Sequence, residues 1–459
     1  MNTITDWEKK KVAVLGLGIE GLAVVQFLQR KGASLWILDK NQNNTIDNNL
    51  ITQAEKLGVH FVFGKDYLSH LSDYDIIFRS PGVKRLLPEL LEAEKNGAII
   101  TSQTKLFFEL CPCPIIGVTG TKGKGTTSTL IFNMLKEAGM DAYLGGNIGV
   151  PEITFLDKLQ SSSIVVLELS SFQLQDLDKS PHIGVMLMVT SEHLDHHATL
   201  EEYIDAKRNL IRFQTPDDFA VINRDYPASN ESDVYTDGKV FYTSRERETE
   251  NGCFALNRKI TVRRNGSDDE IISTSEIALP GKHNLENVCA AVMAARLAGV
   301  SKQYIIHVLK TFTGLPHRLE LVSTVNDVRY YDDSFSTTPE TAIAAIESFG
   351  EPKILILGGS TKGSDFTQLG KIIRESESIK AIIGIGDEWE EIKAHIGSLK
   401  SQILIIEGAT TMKQIVAAAS KIAQKGDVVL LSPACASFGM FKDYKERGEQ
   451  FEAEVLGLA

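Results

Sequence analysis

Two glycine-rich turns carry the first chemical signal, each set between an apolar run and a helix-like run. In Gly16-Leu17-Gly18-Ile19-Glu20-Gly21 the glycines permit a tight turn and let backbone N–H groups approach a diphosphate at a helix N-terminus. That spacing specifies a kind of site and no single ligand: NAD, another nucleotide diphosphate, or a turn used only for packing would satisfy it. Asp39 closes the next strand-like run, and Ser80-Pro81-Gly82 closes another, where a ligand at the strand ends would be met. The second turn is Thr119-Gly120-Thr121-Lys122-Gly123-Lys124-Gly125-Thr126-Thr127. Its small residues let successive N–H groups converge on phosphate oxygens, and Lys124 supplies a cation for the β/γ charge. Five residues separate Gly117 from Gly123, one more than in a strict phosphate loop, and Gly125 stands where a Mg²⁺-binding Ser/Thr is usual. Thr126 or Thr127 is left for that role.

Acids and imidazoles follow in order. Glu168 ends the apolar run Val165-Val166-Leu167, and an ionised carboxylate there is costly unless it is paired or faces a metal. His193 lies in Ser191-Glu192-His193-Leu194-Asp195-His196-His197, a cluster suited to a divalent metal or to phosphate, or else a solvated polar loop.

These groups need a scaffold, and the apolar pattern supplies one. Strand–glycine turn–helix rhythm starts three times: at residues 12–15, at 115–118, and in strands at 354–357, 381–385, 403–406 and 428–431. Apolar strands spaced by helices predict parallel sheets covered on both faces, hence an α/β chain. The rhythm puts domain boundaries near 103 and 314, giving segments 1–102, 103–314 and 315–459. Residues 226–276, polar and charged with short β-like runs, read as a surface excursion of the middle segment.

Composition narrows the partners. The 459 residues carry 48 Lys+Arg against 60 Asp+Glu, a net charge of −12. Such a surface repels nucleic acid and anionic lipid, so an anionic ligand needs a local positive site. Five cysteines make no disulfide framework, and Cys111 and Cys113 lack partners at zinc spacing. No signal peptide or membrane-length apolar run is present, so a soluble cytoplasmic monomer or small oligomer is expected.

Read in order, Thr119 to Lys124, Leu167 to Phe172, His193 to His197 with Tyr203-x-x-Ala206-Lys207, Gly281-Lys282-His283-Asn284 with Asn287, and Gly314-Leu315-Pro316-His317-Arg318 resemble the Mur ligases. Gly16-Leu17-Gly18, Asn147-Ile148-Gly149 and Ser432-Pro433-Ala434-Cys435-Ala436-Ser437 are most similar to the members that add D-glutamate. The resemblance implies three domains: Rossmann-like, P-loop ATPase-like and Rossmann-like. It implies ATP-dependent ligation of D-glutamate to UDP-N-acetylmuramoyl-L-alanine through an acyl phosphate, in peptidoglycan precursor synthesis. ATP would meet residues 120–127, with Asn284 and Asn287 on the adenine side and His317, Arg318 and Asp333 on ribose and phosphates. Two Mg²⁺ ions would be held by Thr126, Glu168, His193 and a carbamylated Lys207, with Lys124, Lys207 and His193 as the catalytic set. The UDP substrate would lie on Gly18, Ile19, Glu20, Asp39, Lys40, Ser80, Pro81, Gly82 and Ser170, its alanyl end at Asn147. D-Glutamate would meet Thr337, Lys362, Ser437 and Tyr444. Phe335 departs from the pattern, standing where the family usually has a carboxylate-binding lysine. A sibling amide ligase such as a folylpolyglutamate synthetase, an NAD-dependent dehydrogenase and a non-catalytic nucleotide binder are the competing readings.

Overall fold

The three rhythmic segments become three sheets in a computed structural model, which describes residues 7–8, 10–42, 46–190, 199–360, 364–397 and 403–458. Two units result, Met1–Glu276 with Leu285–Leu309 and Ile277–Asn284 with Lys310–Ala459.

The first unit holds two sheets. One has five parallel strands, with Lys11–Leu15 central between Ser34–Asp39 and Ile76–Arg79. The other has nine strands, with Ile115–Thr119 between Ile164–Glu168 and Ile183–Met186. Both central strands are buried on both faces, which is why their sequences show no alternation. An apolar core runs through both sheets of the unit, with Phe107 of the helix Gln103–Leu110 meeting Phe155 edge-on at 5.8 Å. Fully burying a side chain of this size stabilises by about 1.5–3 kcal/mol.

Residues 226–276 differ from expectation. They do not form a surface excursion; Lys239–Ser244, Gly252–Leu256, Lys259–Arg264 and Ser267–Ser273 extend the nine-stranded sheet. The last three pair antiparallel, so one face can carry charge while Cys253, Ile260 and Val262 are buried.

The second unit has six strands. Val428–Leu431 lies between Val328–Asp332 and Lys353–Gly358, all parallel, and Glu320–Val325 adds an antiparallel edge. Arg447 is fully buried on the last helix, Tyr444–Leu456, in one stripe with Phe451 and Val455.

Candidate functional site

In the first glycine turn Gly16 takes φ +96, and a Cβ on Gly21 would stand 2.2 Å from the Gly16 carbonyl oxygen. Only glycine fits either position. Asp39 does not point into solvent: its buried carboxylate accepts N–H from Leu17 and Asn41, each at 2.8 Å, clamping the turn from the neighbouring strand. Gly18, Ile19 and Lys40 are exposed beside it, with Ser80 and Pro81 half-buried and Gly82 open. Glu20 accepts from Gln173 Nε2 at 3.5 Å. Burial, with the Glu152 carboxyl near it and Arg79 opposing, pushes Glu20 up to about 7.

That shift has a sign that can be tested. An acid with a folded pKa above its ordinary 4.5 holds its proton more tightly when folded. The stability this contributes is present at low pH and is lost as pH rises from 4.5 to about 7, by at most about 1.4 kcal/mol per pH unit. Glu20→Gln stays neutral, so its melting temperature should gain on the wild type across that interval. A difference that does not vary with pH would contradict the assignment.

The phosphate-loop segment joins the buried strand Ile115–Thr119 to the helix Lys124–Glu137, which starts two residues before Thr126. Gly120 has φ +158 and Gly123 φ +87. Lys124 Nζ donates to the carbonyls of Gly120 and Thr121, both at 3.0 Å. Thr121 Oγ1 donates to Thr190 O and lies 3.0 Å from Tyr203 Oη, while Lys122 is exposed. Thr126 is buried, Gly125 is buried beside it, and Thr127, fully buried, donates to Asn287 Oδ1 at 3.4 Å. A Cβ on Gly123 would stand 2.1 Å from that same Asn287 oxygen. Asn287 therefore sits against the phosphate loop, whereas Asn284 donates to Pro280 O at 2.6 Å in the second unit.

Lys207 comes to the loop from the helix Leu200–Arg212, whose N-cap Thr199 accepts Glu202 N–H. Tyr203, Lys207, Leu210 and Ile211 share its buried stripe, so helical spacing turns the lysine inward. Its Nζ, 2 % exposed as a residue, donates to Gly120 O at 3.0 Å and Thr119 Oγ1 at 3.4 Å, 4.6 Å from the Tyr203 ring centre. Two lysines thus share the Gly120 carbonyl. Glu168 ends its strand between its sheet partners Val118 and Gly146, and its Oε1 accepts from Asn147 Nδ2 at 3.1 Å. Ser170 caps the next helix and exchanges hydrogen bonds with Gln173.

In the second unit the polar groups gather at strand ends. Asp333 is buried, accepts from Ser432 Oγ at 2.7 Å and from Leu319 N–H at 3.2 Å, and burial pushes it up to about 7. His317, at φ +60, sets Nδ1 2.7 Å from Asp332 Oδ2, and that carboxylate raises its pKa. The Arg318 guanidinium lies 4.3 Å over the Phe335 ring, which meets Tyr444 edge-on at 5.0 Å. Ser437 is buried and Thr337 partly so. The Gly358-Gly359 turn packs on Ala436, with Ser360 N–H donating to its carbonyl at 2.9 Å. His193 and Lys362 lie outside the described residues.

Family models match the chain in order: a "Mur ligase MurD-like, N-terminal domain" over residues 10–102, a "Mur ligase middle domain" over 118–295, and a "Mur ligase, glutamate ligase domain" over 317–435. The UDP-N-acetylmuramoylalanine–D-glutamate ligase of Acetivibrio thermocellus is 40% identical over 468 residues, covering 100% of both chains. That of Symbiobacterium thermophilum is 39% identical, covering 98% of this chain and 99% of its own. The chain belongs to the Mur ligase family. Solved Mur ligases share the fold: a UDP-N-acetylmuramate–alanine ligase from Thermotoga maritima (TM-score 0.59, 17% identity, 98% and 100% coverage) and a MurF ligase from the same organism in complex with ADP (0.58, 18%, 100% and 97%).

Mur ligases form C–N bonds using ATP and Mg²⁺, and this Mur ligase has three such domains. Glu168 and the Thr126 hydroxyl are hard oxygen donors of the kind such a cation takes, so the residues present fit it. Two residues of this Mur ligase were missed by sequence reasoning. Arg447 donates to Ser334 Oγ, Ser334 O and Cys435 O, tying the Asp333 turn to the Ser432–Ser437 turn. Arg79 closes the apolar run Ile76-Ile77-Phe78, the same signal that singled out Glu168, whereas Arg447 stands among Lys445, Glu446 and Glu449 and only the fold shows its burial.

Proposed function

We propose that this Mur ligase joins D-glutamate to UDP-N-acetylmuramoyl-L-alanine as a cytoplasmic monomer, with domains at 1–102, 103–314 and 315–459. The observation that carries the reading is full-length similarity to relatives bearing that ligase's name, at 36–40% identity. A dehydrogenase does not account for Lys124 and Lys207 on one loop carbonyl. Among the described residues no helix is long and apolar enough to cross a membrane.

A carboxylate does not acylate an amine at neutral pH. Its oxygen must first attack the γ-phosphorus of ATP, forming an O–P bond as ADP leaves. The amine of D-glutamate then forms the C–N bond, phosphate departs with the C–O bond pair, and the ammonium gives up its proton. Carboxylate and triphosphate repel each other, so fixed cations and N–H groups are needed where they meet. The backbone of residues 120–127 cradles phosphate and Lys124 neutralises the transferring group. Mg²⁺, when bound, screens the remaining charge. Glu168, Thr126, His193 and a Lys207 carbamate would hold it, and Thr127 is left out because its hydroxyl donates to Asn287. Asn147, holding Glu168, and Ser170 meet the alanyl end. Gly18, Ile19, Glu20, Lys40 and Ser80 to Gly82 hold the UDP moiety, with Asp39 as the clamp beneath. Asn284 and Asn287 serve ATP, with His317, Arg318 and Asp333 on its ribose and phosphates. Thr337, Lys362, Ser437 and Tyr444 hold D-glutamate.

The test is phosphate release that requires both the UDP substrate and D-glutamate. Release supported equally by another amino acid would point to a sibling ligase. A narrower test concerns Lys362. Burying the side-chain carboxylate of D-glutamate needs a cation, and Phe335 offers none. Lys362→Met should raise the KM for D-glutamate roughly ten- to a hundredfold, about 1.5–3 kcal/mol, with the KM for ATP nearly unchanged. If both constants rise together, the lysine serves phosphate instead.

A further inference from the structure

Arg79 ends the strand Ile76–Arg79, and the chain continues directly into Ser80, Pro81 and Gly82. Its backbone therefore leads into the loop proposed to hold a nucleotide diphosphate, while its side chain, 1% exposed, reaches the helix and turn that follow the strand Ile164–Glu168 of the other sheet. Nε donates to Asp176 Oδ2 at 3.0 Å, Nη2 to the same carboxylate and to Phe172 O at 2.7 Å, and Nη1 to Val83 O. Phe172 lies in the short helix Ser171–Leu174, which follows Glu168 by a single turn. The same helix is gripped a second time, because Gln173 accepts from Ser170 N–H and Oγ–H and donates to Glu20 of the glycine turn.

A buried guanidinium is a poor way to gain stability, since apolar groups of similar volume commonly do as well. What its planar fork does, and an apolar pair cannot, is fix separate backbone segments in direction and distance. Here those segments are the 80–83 loop and the 168–176 turn. We infer that Arg79 is a positioning residue: through Asp176 and Phe172 it sets the spacing between the diphosphate-holding loop and the Glu168–Ser170 corner, so that the acid end of a diphosphate-anchored substrate arrives at the phosphate loop. The inference rests on the function proposed above and deepens it.

The experiment uses the full chain in three forms: Arg79→Lys, Asp176→Asn, and the double variant Arg79→Met/Asp176→Leu, which replaces the buried pair by apolar groups and guards against misfolding. Positioning and mere structure separate in the readouts. A misplacement on the order of 1 Å costs roughly a hundredfold in rate. The folded variants should therefore lose about that factor in kcat/KM for the UDP substrate, while UDP alone, followed by calorimetry, binds within about threefold of wild type and the KM for ATP moves little. A double variant with wild-type kcat/KM overturns the inference. So does a loss of UDP affinity that matches the loss of kcat/KM, since Arg79 would then only shape the loop. Wild-type turnover that ignores the UDP substrate would instead sink the functional reading, independently of how the variants bind UDP.

Discussion

Lys124→Ala should give a folded protein whose ATP turnover is lower by roughly a hundred- to a thousandfold, about 2.7–4 kcal/mol of lost transition-state stabilisation. The fold should survive because the ammonium donates to carbonyls of its own loop, Gly120 and Thr121. Each such bond contributes on the order of 1 kcal/mol. The loop keeps its other anchors: Thr121 N–H on Met188 O at 2.7 Å and Thr127 N–H on Gly123 O at 3.0 Å. The rate should fall because charge on the transferring group must be met by a group already in place, and Lys124 opens the helix at the loop's end. The measurement is phosphate release at saturating substrates beside a melting curve. Wild-type turnover in a protein that melts normally would end the assignment of 119–127 as the phosphate site.

Lys207→Ala and Lys207→Met should both be inactive, with losses at or beyond the ten- to hundredfold seen when groups around a metal are removed. Lys207 and Lys124 share one carbonyl oxygen inside a buried corner, an arrangement that places like charges together. Addition of CO₂ to the neutral amine, with release of a proton, gives a carbamate and reverses the sign of one of them. The new oxygens would then suit Mg²⁺ and balance Lys124. Formate or acetate should restore part of the activity of the alanine variant, which has room for them, and less of the methionine variant, which does not. Isotope-labelled bicarbonate should give a carbamate signal in the wild type that both variants lack. A free amine in the active ternary complex would refute the modification.

Phe335 shows how far residue types can mislead without geometry. As a departure from the family pattern it reads as a lost cation; in the structure its ring carries the Arg318 guanidinium on one side and meets Tyr444 on the other. Asn284 and Asn287, grouped by resemblance, diverge in the same way, one on Pro280 and the other on the phosphate loop.

The α/β class, the three strand–turn–helix starts and both glycine loops were legible in the residues alone, because each depends on local properties. Apolar runs without alternation require burial on both faces, and positive φ at Gly16, Gly120 and Gly123 requires glycine whatever surrounds it. The inward turn of Lys207 was not legible in its residue type, which reads as a helix-surface lysine; only the resemblance of Tyr203-x-x-Ala206-Lys207 pointed to a role, and the structure placed it in the buried stripe with Tyr203, Leu210 and Ile211. Tertiary structure alone decided which distant groups meet. Thr127 finds Asn287 across 160 residues, Lys207 finds Gly120 across 87, and Arg79 finds Asp176 across 97. Nor could composition place 239–273 in the sheet, because an antiparallel extension may keep charge on one face and so resembles a surface loop. Periodicity states which face of an element is buried; it does not state what that face is buried against.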